Sequence, residues 1–341
     1  MRFLKGLISF IFIIAVLAAA VGVGGWIWLN DQINRDGPLE TALEFTVERG
    51  EGLASVATRL EADGAIKDQR LLRLKARIDG VETAIKAGSY TIPARASTVG
   101  VLEQLVAGDV IELRLTIPEA LTTAQILKRV EAADVLSGPM PEREIGEGEL
   151  LPDTYLFGAG TTRVQFIERM EQAQDDLLEE LWPSRQDELP LQTPYEAITL
   201  ASIVEKETGV DGERGKIAGL FVGRLLKGMR LESDPTIIYG VSQGEPLYNR
   251  RGERRTLYRS EIDRRTDWNT YQIDGLPKTP ICNPGRDAIE AVLNPPETKY
   301  VFFVADGKGG HLFAETYEEH LRNVAKYREY ERQEIARERG N

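Results

Sequence analysis

The chain opens on an uninterrupted apolar run. Leu7 to Leu29 carries no charge and consists mostly of Leu, Ile, Val, Ala, Phe and Gly. At roughly 23 residues, such a run is long enough to cross a bilayer as a helix. Arg2 and Lys5 precede it, and Trp26 and Trp28 stand at its far end. Positive charge before a span places the N-terminus in the cytoplasm, and tryptophans suit the opposite interface. The pattern therefore predicts a single-pass anchor in the inner (cytoplasmic) membrane, with the rest of the chain on the periplasmic or extracytoplasmic side. A cleaved signal peptide is the alternative. The Ala18–Ala20 run offers small residues for cleavage, but apolar sequence continues beyond it.

Past the anchor the polarity changes. Residues 30–44 are polar, contain Gly37-Pro38, and read as a linker. Phe45 to Val47 then alternates as a short strand. Gly50-Glu-Gly52 turns it, and Leu53, Val56, Ala57 and Leu60 recur at helical spacing. Gly64 closes that helix, Ile66 starts the next piece, and Lys86 to Ile92 supplies a second strand. The result is a strand-helix-helix-strand unit within residues 45–110. About 70 residues later a weaker echo places Ile117, Ile126 and Val130 where Val47, Val56 and Leu60 stood. It suggests reuse of one strand-turn-helix unit rather than a repeat array.

Glu112 to Ile117 alternates as a strand and opens a larger region, residues 111–330. Ala132 to Glu149 is acidic, with few large apolar residues, and reads as a loop. Val164 to Trp182, Tyr195 to Thr208 and Lys216 to Leu226 carry helical periodicity, with Gly209 the natural stop of the second. From Leu231 the chain turns to Pro, Gly, Asn and Asp, which predicts irregular, site-forming loops. Tyr300 to Val304 reads as a buried strand, Thr316 to Arg339 as a charged terminal helix, and residues 331–341 as a solvated tail. The fold class is α+β: an N-terminal transmembrane helix, the small strand-helix-helix-strand unit and a larger mixed domain.

Composition narrows the chemistry. A formal net charge of −12 argues against nucleic acid as a partner. Cys282 is the lone cysteine and cannot form an internal disulfide, so the exported region must stand on its core. His311 and His320 are nine apart, which puts them on opposite faces if that segment is helical. No Cys, His or carboxylate spacing matches a zinc site, no glycine-rich loop follows a strand to hold phosphate, and Ser202 lacks the strand-turn setting of a hydrolase elbow. The reading calls for no metal and no cofactor.

What remains is a carboxylic acid. Glu205 and Glu207 stand at the end of the apolar helix from Tyr195. Leu200, Ile203, Val204 and Glu207 fall at i, i+3, i+4 and i+7 and share a stripe. Glu205 lies roughly 200° around the helix from Glu207, so the two do not form a dyad. The stripe favours Glu207 modestly, at the mouth of a cleft. Two solvated surface glutamates are the plainer alternative. Three polar segments add to the picture: Leu231 to Thr236, Pro152 to Tyr155 and Trp268 to Tyr271. Each sets hydroxyls, Asp or Asn beside Pro or aromatic rings, as sugar sites do, although such residues also build ordinary turns.

With these segments in view, the chain resembles the YceG-like (MltG) family of endolytic murein transglycosylases over residues 112–328. The motifs that carry the likeness are Leu151 to Tyr155, Ala201 to Thr208, Gly228 to Thr236 with Tyr239-Gly240, Asn269 to Tyr271, Gly275 to Pro277, Pro280-Ile281 with Asn283 to Gly285, and Phe303 to His311. Residues 45–93 loosely resemble a LysM-like module, a small fold that binds N-acetylglucosamine polymers; an ordinary α/β unit without sugar affinity is the alternative. The chain departs from the family's usual residues at Trp268, at Lys278-Thr279, at Gly223 and at Glu149-Leu150.

The resemblance implies a lyase that cuts the β-1,4 bond between N-acetylmuramic acid and N-acetylglucosamine in peptidoglycan strands and leaves 1,6-anhydro ends. It assigns the catalytic acid to Glu207. Ser233, Asp234, Thr236, Asn269 and Tyr271 become candidates for holding glycan or positioning the acid. Glu205 would orient the site, and His311 would assist. Peptidoglycan synthases (penicillin-binding proteins) are the implied partners. Two alternatives of other classes are a lysozyme-type hydrolase with Asp234 as second carboxylate, and a non-catalytic wall-binding protein acting through the LysM-like unit.

Overall fold

The computed structural model describes residues 2–48, 50–207 and 212–340. They fold as two compact units, one of residues 1–113 with 156–160, the other of 114–155 with 161–341. The first begins with α1 (Arg2–Asn34), β1 (Leu43–Val47), α2 (Leu53–Ala62), α3 (Gln69–Asp79), β2 (Gly88–Ile92) and α4 (Thr98–Ala107). β1 and β2 pair antiparallel, Phe45 opposite Tyr90 and Leu43 opposite Ile92. Phe45, Val47, Tyr90 and Ile92 turn inward onto Val56, Leu60 and Leu72. The strand-helix-helix-strand order is thus present.

Two features of this unit differ from the sequence reading. The segment read as a linker from residue 30 begins as helix: α1 runs to Asn34, and Leu29 and Ile33, four apart on one face, are buried where α1 meets α3 and α4. The second is α4, a helix not expected between the strands at 86–92 and 112–117. Ser97 caps it by accepting from the Gly100 amide at 3.1 Å, and Val101, Leu102 and Leu105 close the core. Phe12–Asn34 contains an 18-residue stretch with a mean hydropathy of 2.3, of which only 6% is buried, so by length and composition this part of α1 is able to cross a membrane.

The chain continues through β3 (Glu112–Thr116), α5 (Thr123–Glu131), β4 (Thr154–Gly158) and α6 (Arg163–Leu181), with β3 and β4 side by side. Ile117, Ile126 and Val130 are as buried as Val47, Val56 and Leu60, and both stretches are strand-turn-helix. Residues 132–149 contain no helix or strand. Thr122 and Thr162 open α5 and α6 with reciprocal capping boxes to Gln125 and Gln165.

The core of the second unit forms around α7 (Pro194–Glu207), α8 (Arg214–Leu226) and, after α9 (Asp234–Ser242) and the short α10 (Arg259–Ile262), α11 (Arg286–Leu293). From Ala197 to Glu205 every residue of α7 is buried. Thr208 and Gly209, the expected helix stop, lie outside the described residues. α8 approaches the 295–296 backbone at Gly219, where an added Cβ would stand 2.6 Å from the Pro296 carbonyl oxygen. Gly219→Ala is expected to cost about 1–3 kcal/mol, measured by urea denaturation.

The stretch after Leu231 is less irregular than its composition suggests, because α9 and α11 form inside it. Asp234-Pro235 is the first turn of α9, a place where proline fits a helix. The chain ends with β5 (Phe302–Ala305), β6 (His311–Ala314) and α12 (Tyr317–Gly340). β5 pairs antiparallel with β6, a strand the sequence reading did not identify. β5 is partly exposed rather than buried: α12 packs on the hairpin, and residues 302–305 also line a cleft.

Candidate active site

Because α7 is enclosed all round, its apolar stripe does not separate Glu205 from Glu207. Their partners do. Glu205 is buried and accepts from the Gly285 amide at 3.0 Å and from Arg214 at 3.3 Å. Arg214 also faces Asp287 at 3.2 Å and Glu119 at 3.6 Å. Gly285 is the N-cap of α11, so Glu205 also meets the positive end of that helix. The surface reading of Glu205 is therefore corrected: it is a buried, doubly held anion, and it does not line the cleft.

Glu207 faces the other way. It lies in the last turn of α7 and lines a cleft of about 490 Å³. Among the described residues its hydrogen-bond partner is Ser233, whose hydroxyl donates to Oε1 at 2.5 Å. No basic side chain pairs with it among the described residues. The residue keeps some solvent contact through the cleft, yet its carboxyl is surrounded by protein. That desolvation pushes its pKa up, the Ser233 bond pulls it down, the charge of Asp234 adds to the rise, and the group settles at about 7. The negative end of α7 acts in the same direction as burial. Near neutral pH this side chain holds a proton that it is able to give away.

Ser233 is held by a buried brace. Its amide donates to Thr270 Oγ1 at 3.0 Å, and Thr236 Oγ1 donates to its carbonyl at 2.6 Å. The Thr236 and Thr270 hydroxyls lie 2.9 Å apart. Asn269, wholly buried, donates to the carbonyls of Glu261, Ile262 and Arg264 at 3.3, 3.0 and 2.6 Å. Its Oδ1 accepts from the Tyr271 amide at 3.0 Å. Thr236 and Asn269 thus have no surface to offer a sugar, which leaves the positioning role of the two proposed for them. Tyr271 and Asp234 do line the cleft, joined by a 2.8 Å bond from the phenol to Oδ1. Burial and Asp234 together raise the Tyr271 pKa, so it stays a hydroxyl.

The β5–β6 hairpin forms another wall. His311 opens β6. Its amide donates to Glu213 Oε1 at 3.1 Å, and its Nδ1 lies 2.7 Å from Glu213 Oε2. Phe303 packs edge-on against the ring at 5.3 Å between centroids. His320, on α12, stacks on Phe302 at 5.3 Å. Both histidines therefore line the same cleft, because β6 ends before α12 begins and the segment between them is not one helix. Burial and the charge of Arg224 lower the His320 pKa. Arg224 is buried and pairs with Glu232, both at the cleft. The sequence reading missed Glu213, Arg224, Glu232 and His320 as site residues; Glu232 stood inside a quoted motif, and nothing in the sequence joined Glu213 to His311.

The third polar segment lies elsewhere. Pro152 to Tyr155 does not line the cleft, and the Tyr155 hydroxyl donates to the Leu151 carbonyl at 2.7 Å. Trp268 also stays out: it packs on Tyr239, and its indole donates to Thr279 at 2.9 Å. Trp268 and Thr279 are two of the departures from the family pattern, and they bond each other.

Ser233→Ala removes the hydroxyl bond that favours the ionised form of Glu207. The Glu207 pKa is expected to rise by about one unit. A carbon-13 titration of the carboxyl, or the basic limb of the activity profile, reads the shift.

The YceG-like family model matches residues 45–326. The chain belongs to the YceG-like family. The match begins at β1, so the small strand-helix-helix-strand unit lies within it. An endolytic murein transglycosylase of Bacillus subtilis (strain 168) is 25% identical over 319 residues, covering 84% of this chain and 85% of the relative. One from Streptococcus pneumoniae (strain D39) is 28% identical over 362 residues, covering 94% of this chain but 64% of the longer relative. A solved YceG-like protein of Listeria monocytogenes is 25% identical, covers 82% of this chain and 98% of its own, and superposes with a TM-score of 0.48.

Proposed function

We propose that this YceG-like protein is a membrane-anchored endolytic lytic transglycosylase, a lyase that cuts the N-acetylmuramic acid–β-1,4–N-acetylglucosamine bond of nascent peptidoglycan strands. The observation that carries the reading is Glu207: an enclosed carboxyl at a cleft, its pKa pushed up to about 7, with no ion-pair partner among the described residues. The names of the two relatives agree with it.

In the mechanism, protonated Glu207 gives its proton to the glycosidic oxygen as that bond breaks and positive charge gathers on the muramyl anomeric carbon. The carboxylate left behind takes the proton of the muramyl 6-hydroxyl, whose oxygen closes onto that carbon. The new end is a 1,6-anhydro sugar, and no water is consumed. One carboxyl serves both steps, whereas a typical glycosidase uses two. Ser233 steadies the carboxylate between the steps, and the brace of Thr236, Asn269 and Thr270 fixes Ser233. Tyr271 and Asp234 offer the sugar a joined hydroxyl and carboxylate.

The helix α1 would hold the enzyme in the cytoplasmic membrane with the catalytic unit outside, where peptidoglycan synthases release new strands, so that internal cuts end strand growth. The LysM-like unit would grip glycan at a depression of about 300 Å³ bordered by Glu51, Leu53, Glu82 and Thr83. Internal cutting has a direct test. With long uncrosslinked strands, the length distribution is expected to collapse before disaccharides accumulate. Disaccharide release from the first time point would show an end-acting enzyme.

A further inference from the structure

Residues 248–265 stand apart from the rest of the surface. They carry seven arginines, no lysine and three carboxylates, in a chain whose formal net charge is −12. Arg250, Arg251, Arg254, Arg259, Arg264 and Arg265 are all exposed. Of these, only Arg259 forms an ion pair among the described residues, with Asp263. Tyr248 and Tyr258 interleave with them and are 58% and 51% exposed. None of these residues lines the Glu207 cleft.

The arm is built, not loose. Tyr248 bridges Arg254, and the Arg255 amide donates to the Leu247 carbonyl at 3.0 Å. Asn249 Oδ1 accepts from the amides of Arg251 at 2.8 Å and Glu253 at 3.0 Å. Gly252, with φ of +76°, completes the turn whose tip is Arg250-Arg251. Arg255 is used internally. It forks onto Glu261 at 2.7 and 2.6 Å and lies 3.9 Å over the Tyr258 ring. Asn269 holds the far end of the arm through the carbonyls of Glu261, Ile262 and Arg264. The fold therefore spends one arginine on rigidity and presents the others to solvent.

We propose that this arm docks the catalytic unit on an anionic bilayer surface, the guanidinium groups taking lipid phosphates and the two tyrosines sitting at headgroup level. A guanidinium fork matches phosphate oxygens in pairs, and exposed tyrosine suits a membrane interface. The inference rests on the reading of α1 as an anchor, since tethering raises the effective concentration of headgroups around the arm. An acidic domain held beside an anionic surface is otherwise repelled; a basic arm selects which face it presents. Each arginine engaged strengthens docking by about fivefold.

The test uses the full chain in lipid nanodiscs, with hydrogen exchange read by mass spectrometry. One disc contains phosphatidylglycerol, the other phosphatidylcholine alone. Exchange across 248–259 is expected to slow by about tenfold in the anionic disc only, and high salt is expected to abolish the difference. Arg250→Gln, Arg251→Gln and Arg254→Gln together remove the protection while leaving turnover of soluble glycan unchanged. Equal exchange in both discs, with the chain retained by both, overturns the docking alone. A chain retained by neither disc overturns the anchor and the docking together. Protection produced by peptide-bearing muropeptides and not by anionic lipid also overturns the proposal, because it assigns the arm to the stem peptide.

Discussion

Glu207→Gln is expected to lower the formation of 1,6-anhydro ends by about 10²–10⁴-fold, the range for losing a positioned general acid. Glutamine keeps the shape of the side chain and the Ser233 contact but has no acidic proton. The same substitution has a second signature, in stability. The Glu207 pKa rises from 4.5 to about 7 on folding, so the folded state holds a proton that the unfolded chain has released at intermediate pH. Stability from this group is present at low pH and is lost as pH rises through about 7. The wild type is therefore expected to lose about 3 kcal/mol between pH 4.5 and pH 8 that the glutamine variant does not lose. A variant that is inactive yet more stable at pH 8, in denaturant titrations at both pH values, marks a residue kept for chemistry at the expense of the fold. Equal stability profiles would show that the carboxyl is not buried as described. Activity of the wild type is expected to fall above pH 7, as the acid ionises.

Glu205→Ala has the largest expected effect on the fold itself, about 3–5 kcal/mol of destabilisation. Glu205 is 4% exposed at its side chain and answers Arg214, which is 18% exposed. Removing the carboxylate leaves Arg214 facing only the more exposed Asp287 and Glu119, and leaves the Gly285 amide without its acceptor. Glu205→Ala combined with Arg214→Met is expected to recover much of the loss, because the stranded charge goes with its partner. A double-mutant cycle in urea measures the coupling. Activity of the folded single variant separates the two glutamates: it is expected to retain anhydro-end formation, since Glu205 lies outside the cleft. Two carboxylates two residues apart thus serve different ends, one locked in an ion pair with Arg214 and one held by the Ser233 hydroxyl at the cleft.

The division of labour was half visible in the sequence. Helical spacing separated Glu205 from Glu207 by rotation around α7, and the separate partner sets follow from that rotation. The apolar stripe that favoured Glu207 carried less information than it offered, because α7 is buried on every side and Glu205 is the more buried of the two. What identifies Glu207 is the identity of its neighbour, Ser233, 26 residues away. Contacts across such distances set the site, and local periodicity does not report them. The same holds for Glu213 and His311, 98 residues apart. Strand-turn-helix order was legible wherever turn glycines and helical spacing coincided, as at Val47 to Leu60. It failed where a helix began inside a polar, proline-rich stretch, as α9 does at Asp234-Pro235, and where β6 needed β5 beside it to be a strand.

One measurement bears most directly on the central claim that Glu207 drives transglycosylation rather than hydrolysis. Purified full-length protein is incubated with uncrosslinked glycan strands in water enriched in oxygen-18, and the new muramyl ends are weighed by mass spectrometry. The account predicts 1,6-anhydro ends that carry no heavy oxygen, produced by the wild type and not by Glu207→Gln. Reducing muramyl ends that carry one oxygen-18 would contradict it and give the reaction to water and a second carboxylate.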